Sequence, residues 1–155
     1  MADELLPPGR DSVLVAVVTI VNGHPLIVLV REPEHRAPIY DKPPGGEVEV
    51  GESPLQACIR EVKEETDIDV MACELSLQGD PPPPVLGRTG WYTQYLYLAL
   101  VPPDRIIRHM GKDVVTCVDP DGKRLESTCY DLGGITRLRT LMPKHRDMLL
   151  ALVPK

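Results

Sequence analysis

The sequence contains no phenylalanine, one tryptophan and five tyrosines, so a core must be built from Val, Leu and Ile with a few Tyr rings. It has no excess of basic charge: 17 Lys and Arg stand against 23 Asp and Glu, a formal net charge of −6. Polymeric nucleic acid and anionic membranes are held through clustered Lys and Arg, so neither is expected as a partner. A small phosphorylated ligand remains open, because metal ions can supply the missing positive charge. No long apolar run occurs either. The longest, Val13 to Val21, spans about nine residues, far below the ~20 that a membrane-spanning helix requires. Met1 to Arg10 is acidic and then proline-rich, without the basic start and apolar stretch of a signal peptide. A soluble, cytoplasmic protein is therefore expected. Cys58, Cys73, Cys117 and Cys129 form no CxxC pair, and His24, His35, His109 and His145 do not cluster with them. Reduced thiols in a core are expected, with no zinc site.

What is present fits one domain over residues 1–155, with 1–11 as a flexible N-terminal segment. Val13 to Val21 is nearly continuous in β-branched residues and reads as a strand buried on both faces. Asn22-Gly23 signals a tight turn, and Leu26 to Val30 returns as a second buried strand. Pro33, Pro38, Pro43 and Pro44 make Glu32 to Pro44 a loop. Ser53 to Thr66 reads as a helix, with Ser53 as N-cap, Pro54 at its first position and Gln56 completing a capping box. Leu55, Ile59 and Val62 give it an apolar face. Ile68 to Leu77 alternates like a strand, with Met71, Cys73, Leu75 and Leu77 on one side. Gly79 to Gly90 reads as a loop, and Trp91 to Val101 as one long strand. Val114 to Val118 and Leu125 to Tyr130 flank Asp119-Pro120-Asp121-Gly122, which predicts a hairpin. Pro143 is placed to open a last helix carrying Met148, Leu149 and Leu152 inward. This order implies an α+β fold, a mixed β-sheet flanked by helices.

The chemistry concentrates in residues 45–68, GGEVEVGESPLQACIREVKEETDI. Glu61, Glu64 and Glu65 stand at i, i+3 and i+4 and share one helix face, away from the apolar stripe. Like charges at this spacing repel by a few tenths of a kcal/mol per pair. A solvated acidic face is the plain reading of such a stretch. A cation among the carboxylates is the alternative, and oxygen ligands without His or Cys select hard cations, Mg²⁺ first and then Mn²⁺ or Ca²⁺. Two further features favour the cation. The Gly45-Gly46 turn allows close backbone approach to metal or phosphate, and Arg60 and Glu52 are placed to pair near the start of the helix. A purely structural Ca²⁺ helix leaves both unexplained, and the chain lacks the D-x-D-x-D-G loop of an EF-hand.

Gly46, Glu52, Arg60, Glu61, Val62, Glu64, Glu65 and Ile68 resemble the box of the Nudix hydrolases (MutT-like), G-x5-E-x7-R-E-U-x-E-E-x-G-U with U aliphatic. The one departure is Asp67, where the family has Gly; Asp tolerates the left-handed conformation that ends the helix better than most residues. The two strands before the box, Pro44-Gly45-Gly46 and a final helix beginning near His145 are similar to the Nudix layout. So, more loosely, is Cys129 to Ile135, where Cys stands for the family's Trp and Gly133-Gly134 for its acidic pair.

The resemblance implies a sheet flanked by helices in an α/β/α sandwich and hydrolysis of a nucleoside diphosphate linked to another group. It implies Glu61, Glu64, Glu65 and the Gly45 carbonyl as metal ligands for Mg²⁺, with Mn²⁺ as substitute. Glu61 would also orient or deprotonate water, and Arg60 would hold carboxylates through a bidentate pair, with Glu52 or a ligand Glu. Asp119, Asp121 and Glu126 are candidates for a further acidic ligand or base. Arg31 and Gly46 are candidate substrate contacts, although a lone Arg such as Arg31 is more often a solvated strand-end charge. Trp91 and Tyr92 could stack on a base or simply pack in a strand. Pro83, sixteen residues past Asp67 in a run of four prolines, fits a spacing the family associates with ADP-ribose. An ADP-ribose or nucleotide-sugar substrate is thus favoured over (oxidised) dNTP or NTP, with a non-catalytic nucleotide sensor as the alternative of another class. The implied partner is a small nucleotide-like substrate, and a homodimer is admitted.

Overall fold

Val13 to Val18 send alternate side chains to opposite faces of one sheet, and that alternation generates two cores. Val13, Val15 and Val17 enter one cluster with Val28, Val62, Ile68, Tyr97 and Ile106. Ala16 and Val18 enter the other with Ile27, Leu29, Ile135, Leu141 and Leu149. All of these are buried, as expected of a strand covered on both sides. The computed structural model describes residues 10–35, 38–79, 84–87, 90–111 and 113–153.

β1 (Ser12–Val21) and β2 (His24–Arg31) form an antiparallel hairpin. Its turn has positive φ at both Asn22 and Gly23, the geometry that matches the twist of the flanking strands. β3 (Gly45–Glu47) pairs antiparallel with β1. The helix α1 (Pro54–Thr66) follows, then β4 (Leu75–Gln78), β5 (Val85–Gly87), β6 (Gly90–Tyr92) and β7 (Gln94–Leu100). β8 (Val115–Val118) and β9 (Arg124–Asp131) form the second hairpin, and α2 (Leu132–Arg137) and α3 (Pro143–Leu152) close the chain. The main sheet runs β4-β7-β1-β2-β9-β8, with β3 beside β1. β1 and β7 are parallel; the other pairs are antiparallel. α1 covers one face and α2 and α3 the other, the mixed sheet between helical layers that the sequence implied.

Several elements differ from the sequence reading. Ile68 to Leu77 is not one strand: a 3-10 turn at Ala72–Glu74 precedes β4. Glu74 makes that turn by accepting from the Met71 N–H at 2.8 Å and pairing with Arg105. Met71, Cys73 and Leu77 consequently face solvent, while Ile68 and Val70 enter the core. The loop expected from Gly79 to Gly90 contains β5, paired with β6 in a separate two-stranded sheet. Trp91 to Val101 is broken at Thr93, whose N–H donates to Asp11 Oδ1 and whose carbonyl accepts from Ser12 N–H. The 3-10 stretch Pro103–Met110 and α2 were not foreseen. The last helix begins at Pro143, two residues before His145, and carries Leu149 into the core with Met148 and Leu152 packed against it. Of the expected N-terminal segment, Arg10 and Asp11 are described, and both are tied to the sheet, Arg10 through Glu47 and Asp11 through Thr93 and Val48. Cys58 is buried, Cys117 and Cys129 half-buried and Cys73 exposed, all as free thiols, so the core-thiol expectation describes Cys58 and not Cys73. No helix among the described residues is long and apolar enough to cross a membrane.

Candidate active site

α1 begins as its sequence dictates. Gln56 N–H donates to Ser53 Oγ at 3.1 Å and Ser53 N–H donates to Gln56 Oε1 at 2.9 Å, so both halves of the capping box form. At the other end Asp67 adopts the left-handed conformation (φ 60°, ψ 24°), and its N–H donates to the Lys63 carbonyl. The buried face is turned from the expected stripe: Ala57, Cys58, Val62 and Glu65 are covered, whereas Leu55 and Ile59 are only partly so. Burial pushes the Cys58 thiol up to about 12, which leaves it inert as a nucleophile.

That turn changes the nature of the carboxylate face. Glu65 retains 6% exposure and makes no ion pair among the described residues. Its Oε1 accepts the Gly45 N–H at 2.7 Å. Burial pushes its carboxyl up to about 7, against the opposing pull of Lys42 and the Gly45 hydrogen bond. Burial also raises Glu61, countered by Arg60.

Arg60 organises the rest. Its guanidinium donates to both oxygens of Glu52, at 2.8 and 2.9 Å, the bidentate fork expected for it. It also donates to Glu61 at 2.9 Å, to Glu64 at 3.3 Å and to the Glu47 carbonyl at 2.9 Å. These bonds hold Glu52 below the usual carboxylate range and raise Arg60 further.

Gly45 and Gly46 bring β3 against both β1 and the helix. A Cβ on Gly45 would lie 2.1 Å from the Val13 carbonyl oxygen, and one on Gly46 would lie 2.5 Å from Glu61 Oε1. The sequence reading assigned the pair to close approach to metal or phosphate; in the structure Gly45 lies against the Val13 backbone and donates to Glu65, and Gly46 lies against the Glu61 carboxylate.

The carboxylates open into a pocket of about 540 Å³. Eight acidic side chains line it against four basic ones, Arg10, Lys42, Arg60 and Lys123. The β8–β9 hairpin forms its far wall through Asp119, Pro120, Asp121, Lys123 and Leu125. The three late acids separate here. Asp119 Oδ1 accepts the N–H groups of Asp121 and Lys123 at 2.9 and 2.8 Å and is committed to the turn. Asp121 lines the pocket, and Glu126 sits on β9 in register with Arg31, outside the pocket lining.

Arg31 also lies outside that lining. Its guanidinium meets both oxygens of the buried Asp41, at 3.0 and 3.1 Å, and so ties β2 to the loop carrying Lys42. Trp91 and Tyr92 lie on β6 away from the pocket, with Trp91 exposed. Pro83 lies outside the described residues. Lys42 and Lys123 were missed in sequence because nothing local marks them: Lys42 reaches the site through a bridge with Val30, and Lys123 through the hairpin.

Among the described residues no three His, Cys, Asp or Glu side chains are gathered as ligands of one ion; Arg60 draws Glu61 and Glu64 to itself. The donor set nevertheless fits a hard cation. All its atoms are carboxylate or carbonyl oxygens, and Glu65 is a buried carboxylate without an ion pair among the described residues, a costly arrangement that a cation would relieve.

A model of the NUDIX domain matches residues 10–121. No curated protein matches the chain in sequence. Among solved structures, the NUDIX domain of Shewanella oneidensis NrtR, complexed with ADP ribose, superimposes with a TM-score of 0.66 at 15% identity, covering 95% of this chain and 88% of that one. An Ap4A hydrolase of C. elegans gives 0.62 at 18% identity, covering 92% and 93%. A NUDIX-family hydrolase of Clostridium perfringens gives 0.60 at 18%, covering 94% and 96%. At these identities the likeness establishes the fold.

Proposed function

We propose that this chain, which belongs to the Nudix family of phosphoanhydride hydrolases, is a divalent-metal-dependent pyrophosphohydrolase that cleaves a nucleoside diphosphate from another group. ADP-ribose or a nucleotide sugar is the favoured substrate type. The observation that carries the reading is Glu65: a buried carboxylate without an ion pair, at the floor of an acidic pocket, asks for a cation and then for an anionic ligand to share it. The ADP ribose bound by the NrtR domain, whose fold this chain shares, supports the substrate type.

Glu61, Glu64, Glu65 and the Gly45 carbonyl would hold Mg²⁺, or Mn²⁺ in its place. When bound, the ion neutralises phosphate oxygens and lowers the pKa of a coordinated water. The remaining work falls to the chain. Arg60 is locked by Glu52 and sets the spacing of Glu61 and Glu64. Glu61, raised by burial, is suited to take a proton from water and orient its attack. Gly46 lets Glu61 lie against the backbone and leaves room for the diphosphate. Lys42 and Lys123 offer charge to its oxygens. Arg31 contributes indirectly, by fixing Asp41 and hence the position of Lys42. Asp121 is the late acid placed to assist.

The test is product release from ADP-ribose, nucleotide sugars, dinucleoside polyphosphates and (oxidised) dNTPs with Mg²⁺, alongside Glu64→Gln. Hydrolysis of one class, abolished by chelator and reduced by orders of magnitude in Glu64→Gln with the fold retained, is the expected outcome. Normal turnover in that variant would overturn the site, and metal-dependent nucleotide binding without turnover would make the protein a sensor.

A further inference from the structure

Pro38 to Lys42 crosses the rim of the acidic pocket and builds a second, smaller one. This pocket, about 170 Å³, is lined by Glu32, His35, Pro38, Ile39, Tyr40 and Lys42. Glu32 and Lys42 line the acidic pocket as well, so the two cavities share a rim. Its size suits a single heterocycle and not a whole nucleotide, since pockets for drug-sized ligands begin at about 300 Å³. The character also changes across the rim, from carboxylates to an aromatic ring and two apolar side chains.

Tyr40 is held as a platform. It is 48% exposed, yet the chain just after it is anchored. Asp41 is buried, bonded by Arg31, and its N–H donates to the Thr140 carbonyl at 2.9 Å. Lys42 exchanges both backbone hydrogen bonds with Val30, at 2.8 and 2.9 Å. A ring presented to solvent from a fixed backbone gives contact area at little entropic cost. Lys42 lines both pockets, with Tyr40 in the smaller one and with Glu61 and Glu65 in the acidic one, and so stands where the two meet.

Building on the proposed hydrolase reading, we infer that this small pocket is the nucleobase subsite: the base stacks on Tyr40 beside Pro38 and Ile39, its amino edge donates to Glu32, and Lys42 stands where the sugar-linked phosphate passes into the acidic pocket. A carboxylate accepts from the exocyclic amines of adenine, guanine or cytosine. Uracil offers one imino donor flanked by two carbonyl oxygens, which a carboxylate repels. The substrate class is thereby narrowed to amino-bearing bases.

Calorimetric titration with AMP, UMP and ribose 5-phosphate in Mg²⁺ tests this without turnover, because none of the three has an anhydride to cleave. AMP should bind roughly tenfold more tightly than ribose 5-phosphate, the scale of one base–aromatic stack. That advantage should vanish in Tyr40→Ala and return in Tyr40→Phe, a recovery that lost structure alone would not give. The preference for AMP over UMP should collapse in Glu32→Gln. Equal binding of AMP and ribose 5-phosphate, no measurable AMP binding, or an advantage that survives Tyr40→Ala would overturn the subsite. A base preference that behaves as expected in a protein that hydrolyses nothing would overturn the hydrolase reading and leave the subsite standing.

Discussion

At the scale of single residues, a methyl group added to Gly45 or to Gly46 meets two different kinds of obstacle. On Gly45 it strikes the Val13 carbonyl, part of the β1–β3 ladder, where backbone would have to move. On Gly46 it strikes the end of the Glu61 side chain, which can swing away. Gly45→Ala should therefore cost about 2 kcal/mol or more in urea unfolding. Gly46→Ala should keep most of the stability and lose Mg²⁺ affinity and turnover, read by calorimetry and product assay. Equal stability losses would mean that Glu61 is as rigid as the backbone. The carboxylates themselves were legible from spacing alone, because i, i+3 and i+4 fix a helix face. That Glu65 is buried was not, because the helix turns on Ala57 and Cys58 and not on Leu55 and Ile59.

At the scale of elements, α1 was readable at both ends because its signals are local. The capping box lies within four residues, and Asp67 takes the left-handed conformation that a C-terminal cap needs. Ala in that conformation is strained by about 1 kcal/mol, whereas Gly is not. Asp67 also pairs with Lys63 and Arg108 at half-exposed positions, contacts worth under ~1 kcal/mol. Asp67→Gly should thus be close to neutral, and Asp67→Ala about 1 kcal/mol less stable than Asp67→Gly by chemical denaturation. If the two variants unfolded alike, strain at the cap would be irrelevant. The elements that escaped prediction are those held by distant partners. Pro103–Met110 is fixed by Arg105 on Glu74 and by His109, whose Nε2 lies 3.0 Å from the Thr66 carbonyl. Met71, Cys73, Leu75 and Leu77 alternate like a strand, but nothing in that pattern reveals the Glu74 turn.

At the scale of the whole molecule, Glu65 links stability to pH and to metal. Its folded carboxyl, at about 7, lies above its ordinary value of 4.5. Its contribution to stability is therefore fully present below pH 4.5 and is lost as pH rises through 7, up to about 3 kcal/mol. The difference in thermal stability between the wild type and Glu65→Gln should follow this window, and Mg²⁺ should raise the melting temperature of the wild type more at pH 8 than at pH 5.5. A pH-independent difference would place the titration elsewhere. The same scale explains why Lys42, Lys123 and Tyr40 stayed hidden: a loop returning to β2 and a hairpin from the far end of the chain bring them to the box. β1 shows how far such returns reach. It pairs in parallel with β7, each residue matched to one 82 positions later, from Ser12 with Gln94 to Val18 with Leu100. The acidic helix is made inside that interval. On a ribosome adding about 5–20 residues per second, β1 would wait roughly 4–16 s for β7 to be made. During that time Val13, Val15 and Val17 would lack Tyr97 and Ala99 beside them, so one edge of an apolar strand stands unpaired in the newborn chain before the carboxylates have a pocket to stand in.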